Sequence, residues 1–227
     1  MIPRAVEQVF HGTEQMKTKG WEYKMEGQFL EIVSLTVYVS IFANLTLFFQ
    51  YNETINDLLG KGEFDKKKHE IKHDTKSGST RVTDIVVAPL SSPSQVRSLL
   101  ALAQSRRSVA ATLMNERSSR SHSVFTLRIS GVNVGIDGCS GTGERCEGSL
   151  NLVDLAGSER LNVSFANGAD RERVRETQNI NRSLSALGDV IAALGEKGEK
   201  GDKHIPYRNS KVRLSSCVIA FRSLITV

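Results

Sequence analysis

Cysteine is scarce in this sequence and unpaired in pattern: Cys139, Cys146 and Cys217 form no C-x-x-C spacing and leave an odd thiol. That excludes a disulfide framework, offers no zinc site and suits a reducing cytosol. No G-x-x-x-x-G-K-[ST] string occurs, so the loop that cradles nucleotide phosphates is missing from these 227 residues. The first ten residues, Met1 to Phe10, lack the basic stretch and short apolar core of a secretory leader. His69, His73 and His204 show no metal-ligand spacing and are expected to be exposed loop residues. Charge is not extreme either: 30 Lys+Arg against 25 Asp+Glu give net +5, enough to suit an acidic partner and far from histone-like.

With 39% hydrophobic content, the chain can fill one sizeable core, and a single domain is the default. Pro3, followed by Ala5, Val6, Val9 and Phe10 at helical spacing, predicts an amphipathic helix ending by Gly20. Trp21, Tyr23, Met25 and Phe29 alternate as a strand, with a break at Gly27. Val33 to Gln50 then interrupts the pattern with an uncharged, strongly apolar run. Short strands are expected around Ile71, Val82 and Ile85 to Ala88, and Ser92-Pro93 starts a helix through Val96, Leu99, Leu100 and Ala103. Ser123 to Val134 alternates as a strand, Gly135 to Gly148 is a glycine-rich connection, and Leu150, Leu152 and Val153 form a buried strand. Val174, Thr177, Ile180, Leu184, Leu187, Ile191 and Leu194 keep a helical stripe that Gly195 should stop, before a flexible basic loop, EKGEKGDKHIPYRNSK. Alternating strands and helices make the class α/β.

Two segments carry chemistry. Asp154-Leu155-Ala156-Gly157 follows an apolar strand, where open α/β sheets place their ligand sites. A carboxylate there can hold magnesium through water, and a glycine amide can approach a phosphate unobstructed. Alone, the tetrapeptide is equally an ordinary strand-to-turn junction. The second segment, Asn115 to Ser123 (NERSSRSHS), gathers hydroxyls for magnesium and phosphate oxygens with guanidinium groups that answer negative charge. Its plain alternative is a solvated Ser/Arg loop.

NERSSRSHS followed by LVDLAGSER resembles the switch I and switch II motifs of the kinesin superfamily. TQNINRSLSALGDVIAAL resembles the helix after switch II, HIPYRNSK the next microtubule-facing loop, and YNETINDLL and IPRAVEQVF earlier parts of the same motor. The likeness covers about residues 1–32 and 51–211. WEYKMEGQFLEI and VAPLSSPSQVRSLL look most like the minus-end-directed kinesin-14 subfamily with a C-terminal motor. The resemblance implies a P-loop NTPase motor fold, a central mixed sheet flanked by helices, incomplete at both ends. It implies an ATPase using ATP and Mg2+, with microtubules as partner rather than nucleic acid or membrane, at work in the cytoplasm on cytoskeletal and spindle microtubules. The full-length parent would be a coiled-coil dimer.

Residue by residue, the resemblance assigns Ser118 and Ser119 to the γ-phosphate and magnesium, with Asn115 supporting the loop. Asp154 holds the magnesium shell through water, and the Gly157 amide senses the γ-phosphate. Arg120 and Glu159 form the catalytic salt bridge that closes the switches and positions the attacking water. Microtubule contact falls on the helix from about Arg175 to Leu194 and on Lys197, Lys200, Lys203, His204, Tyr207, Arg208 and Lys211. Simple solubility is the alternative role for the three lysines.

The departures are as specific as the matches. The phosphate loop is expected just upstream of Met1. Deleting residues 33–50 joins Glu31-Ile32 to Tyr51-Asn52 and restores the family string EIYNETINDLL. The run opens with Val-Ser, which GTGAGT or GTAAGT can encode, and closes with Phe-Phe-Gln, which TTTTTTCAG can encode. Those are splice donor and acceptor signals, and Val212-Arg213 can begin as GTAAGA where the family pattern stops. Residues 33–50 and the tail 212–227 are therefore expected to be translated intron, and the insertion is expected to break the pairing of the strand it enters. A genuine subfamily insertion, an apolar hairpin packed on the motor and a membrane span are the alternatives. A span would put the first helix and the switch motifs on opposite sides of a bilayer.

Overall fold

The computed structural model describes residues 1–40, 47–60, 67–73, 80–112, 121–136, 141–158, 168–200 and 205–206. Helix α1 (Ile2–Lys17) begins with proline in its first turn and buries Val6, Phe10 and Thr13, the stripe its spacing predicts. Gly20 ends the approach to the sheet at φ +81°, and a side chain there would collide with the Gly135 backbone at 2.7 Å. Only glycine meets both demands.

β1 (Trp21–Ser40) is the central strand, and the sheet order is β2-β1-β6-β7, with β5 (Ala88–Leu90) also pairing β1. β2 spans Leu47–Asp57, β6 Ser121–Asn133 and β7 Arg145–Asp154. A separate two-stranded sheet pairs β3 (Ile71–His73) with β4 (Thr80–Val82). Every pairing among the described strands is antiparallel, where the sequence led to a mixed sheet. β1 runs unbroken through Gly27, because Leu90 fills the space a side chain there would need.

Alternation along β1 and β6 feeds two cores. Met25, Phe29, Phe125 and Leu127 pack with α1 and with Val96 and Ala103 of α2 (Pro93–Thr112). Phe29 and Phe125 meet edge to face, with ring centroids 5.9 Å apart. Leu30, Ile32, Ile55 and Val124 form the second core. Helix α3 (Gly168–Lys200) packs on β1 and buries Leu187 and Val190. Helices thus flank the sheet, the α/β arrangement the sequence implied.

Four further expectations are corrected. The insertion does not break the strand: β1 stays paired to β6 as far as Val33↔Ser121. The chain then continues to Ser40 and returns as β2, with Ser40↔Leu47 and Ile32↔Ile55 in register. A hairpin satisfies the backbone groups that an insertion would otherwise orphan. β7 is not buried; it pairs with β6 alone among the described strands, and Val153 is 36% exposed. α3 runs through Gly195 to Lys200, although Gly195 and Gly198 each cost roughly 1 kcal/mol relative to alanine inside a helix. His69 is buried rather than exposed, its Nδ1 2.8 Å from the Thr83 carbonyl oxygen.

Candidate functional site

The start of β6, the end of β7 and the middle of β1 converge, with Ser123 opposite Asp154 and Val33 opposite Ser121. Over them lies Arg107 of α2, which donates to the Ser121 carbonyl at 3.3 Å and its Oγ at 3.2 Å. The Arg107 Nε is 3.4 Å from Glu31 Oε1. The Glu31 side chain is only 4% exposed and accepts from Ser121 Oγ at 2.6 Å. Removing one partner of such a buried pair costs about 3–5 kcal/mol, because the other charge is left uncompensated. Arg107 also reaches Asp154 at 3.8 Å, but the Asp154 side chain is 75% exposed. Solvent screens that contact, so Asp154 stays available to an incoming cation.

The turn after β7 is held from behind. The buried Ala156 donates its N–H to His122 Nδ1 at 3.0 Å. His122 Nε2 lies 2.9 Å from Ser183 Oγ on α3, and Ser183 Oγ donates to the Ile180 carbonyl at 2.7 Å. Burial holds His122 below the ordinary imidazole range, against the opposite pull of Glu53 and Asp154. At Gly157 a side chain would meet nothing within 4 Å. A carboxylate and a glycine with no crowding at its α-carbon fit the magnesium–nucleotide role in donor chemistry.

Of the predicted nucleotide residues, Asp154 and Gly157 lie among the described ones, three positions apart on the end of β7 and the turn after it. Asn115, Ser118, Ser119, Arg120 and Glu159 lie outside the described residues. So do Lys203, His204, Tyr207, Arg208 and Lys211. Lys197 and Lys200 fall on the last turns of α3 rather than in a loop. Among the described residues no His/Cys/Asp/Glu group is built to cage a metal, and no helix is long and apolar enough to cross a membrane. Sequence reasoning missed Arg107 and Glu31, which nothing in the local pattern joins. It named His122 without a role, although its place at the head of an apolar strand hinted that it faces inward.

The Asp154 carboxylate, the Gly157 turn and the start of β6 at Ser121 therefore lie at one end of the sheet. Residues 1–214 match the kinesin motor domain. The chain belongs to the kinesin motor domain family. Kinesin-like protein klpA of Emericella nidulans is 55% identical over 213 residues, covering 93% of this chain and 24% of that protein. Kinesin-like protein KIN-14N of Oryza sativa subsp. japonica is 45% identical over 217 residues, covering 93% and 24%. The solved motor domain of the kinesin-related protein KAR3 from Saccharomyces cerevisiae superposes with a TM-score of 0.68 at 43% identity, covering 94% of this chain and 55% of that one. The kinesin-14 likeness expected from the first strand is borne out by these relatives. The chain spans about a quarter of the length of the curated relatives it matches.

Proposed function

We propose that this chain is the switch-bearing and microtubule-facing portion of an ATP-driven, microtubule-based motor. The observation that carries the proposal is the hydrogen-bonded path from the Asp154–Gly157 turn through His122 to α3, since a motor must connect nucleotide chemistry to its track-binding helix. Asp154 holds the water shell of magnesium, and the Gly157 amide faces the terminal phosphate. Ser118 and Ser119 contact phosphate and metal with Asn115 in support, and Arg120 pairs with Glu159 to close the site. When bound, the magnesium ion neutralises charge on the phosphate oxygens. Arg107, engaged by Glu31 and Ser121, holds the start of β6 against β1 while the turn moves.

The track surface runs along α3 from about Arg175 to Leu194 and onward through Lys197, Lys200 and Lys203 to His204, Tyr207, Arg208 and Lys211. Two of those lysines, Lys197 and Lys200, fall in the last turns of α3, and the charge that would meet an acidic partner continues at Lys203, Arg208 and Lys211 in the sequence beyond. Replacing Lys197, Lys200 and Lys203 with Ala should weaken cosedimentation with microtubules at low salt, and the difference should shrink as salt shortens the Debye length to about 8 Å. Equal binding before and after returns the lysines to a solubility role. A second reading, a microtubule-binding module without catalysis, is favoured by the missing G-x-x-x-x-G-K-[ST] string. A nucleotide titration separates the two.

A further inference from the structure

We propose that His122 is a positioning residue, a rigid strut in its Nε2–H tautomer that passes displacements of the Ala156–Gly157 turn to helix α3. The inference rests on the motor reading for its purpose and on hydrogen-bond directions for its content. A backbone N–H can only donate, so the Ala156 amide at 3.0 Å fixes Nδ1 as the unprotonated nitrogen. The proton of the neutral ring then sits on Nε2, facing Ser183 Oγ at 2.9 Å. Ser183 has one hydroxyl proton, and the Ile180 carbonyl at 2.7 Å takes it, leaving the oxygen free to accept. The three bonds therefore run one way, from strand-end amide to helix carbonyl. An Nδ1–H ring would set two donors against each other and leave a buried amide unsatisfied.

Stiffness follows from the chemistry of the linker. His122 and Ser183 are fully buried and Ala156 nearly so, leaving little room for water to replace any of these bonds. The imidazole is planar, and the separation of its nitrogens is fixed. A flexible side chain would absorb a shift of the turn by changing rotamer; a ring bonded at both nitrogens transmits it. His122 also stands opposite Ile32 in the β1–β6 ladder, so its backbone anchor is the central strand rather than a loop.

Nitrogen-15 NMR of the full 227-residue chain tests the proposal, with His122 assigned by difference against its variants. We expect a pyridine-like Nδ1 and a pyrrole-like Nε2. Hydrogen exchange then separates the two bonds. His122→Asn keeps an acceptor near Nδ1 and loses the reach to Ser183; His122→Gln keeps a donor near Nε2 and loses the acceptor. Asn should speed exchange in the Ile180–Leu184 turn roughly tenfold while sparing Ala156, and Gln should do the reverse. An Nδ1–H tautomer in the unaltered chain, or equal loosening of both places by both variants, overturns the strut. Microtubule cosedimentation plays no part in these readouts, so loss of the motor reading and loss of the strut are separate results.

Discussion

Burying an imidazole between an amide and a hydroxyl fixes its charge as well as its orientation. The folded His122 titrates below its ordinary value of 6.5, so the unfolded chain takes up the proton first as pH falls. The stability this provides is fully present above about pH 6.5 and is lost as pH drops toward the lowered value. Urea unfolding should therefore show a larger loss for the natural chain than for His122→Asn between about pH 7.5 and about pH 5.5. Parallel curves would mean that His122 does not titrate on unfolding. Asp57 is the second residue whose role is structural and specific. Its two oxygens accept from the Leu59 amide at 2.8 Å and the Val86 amide at 2.7 Å, tying the end of β2 to the start of the β5 segment. Asp57→Ala strands both amides and should cost about 2–4 kcal/mol in urea unfolding; a change under about 0.5 kcal/mol would show that water replaces both bonds.

Among elements, the hairpin made by β1 and β2 carries the uncharged run of residues 33–50. Among the described residues the β1–β6 pairing reaches Val33↔Ser121, while the β1–β2 pairing continues to Ser40↔Leu47. A two-stranded ribbon whose run from Val33 to Gln50 carries no charge is poorly protected against pairing with other chains. We propose, as the splice-like boundaries suggest, that residues 33–50 and 212–227 come from retained intron, and expect mature messenger RNA to lack both stretches. Deleting residues 33–50 from the protein should raise the soluble fraction and preserve or raise the thermal midpoint, since Ile32 then runs directly into Tyr51 along β1. A transcript that keeps those codons, or a deletion that abolishes folding, would establish the hairpin as native.

For the molecule as a whole, the switch turn, the sheet and α3 make a connected frame, yet the frame lacks the part that grips a triphosphate. Backbone amides and a lysine around the β- and γ-phosphates supply most of that grip in P-loop enzymes. The 227 residues expressed alone should accordingly show no microtubule-stimulated ATP hydrolysis. Turnover above background in purified protein, abolished by Gly157→Ala, would overturn this. That substitution is informative, because a methyl group at Gly157 meets no atom of the described residues within 4 Å and so tests the approach of a ligand rather than the described fold.

Local pattern alone was enough for α1, for β6 and for the existence of α3, because hydrophobic period and proline placement are read from neighbours in sequence, although Ile191 of the expected α3 stripe is 49% exposed and Val190 beside it is buried. The family strings carried the same information at longer range. What only tertiary structure decided are the contacts between distant segments. Glu31 became a buried partner of Arg107, His69 turned inward against Thr83, and His122 found Ser183 across the sheet, since burial and hydrogen-bond direction exist only once the strands are stacked. The same holds for the hairpin and for α3 beyond Gly195. A run of apolar residues does not say which strand will pair with it, and a single glycine stops a helix only when its surroundings favour stopping.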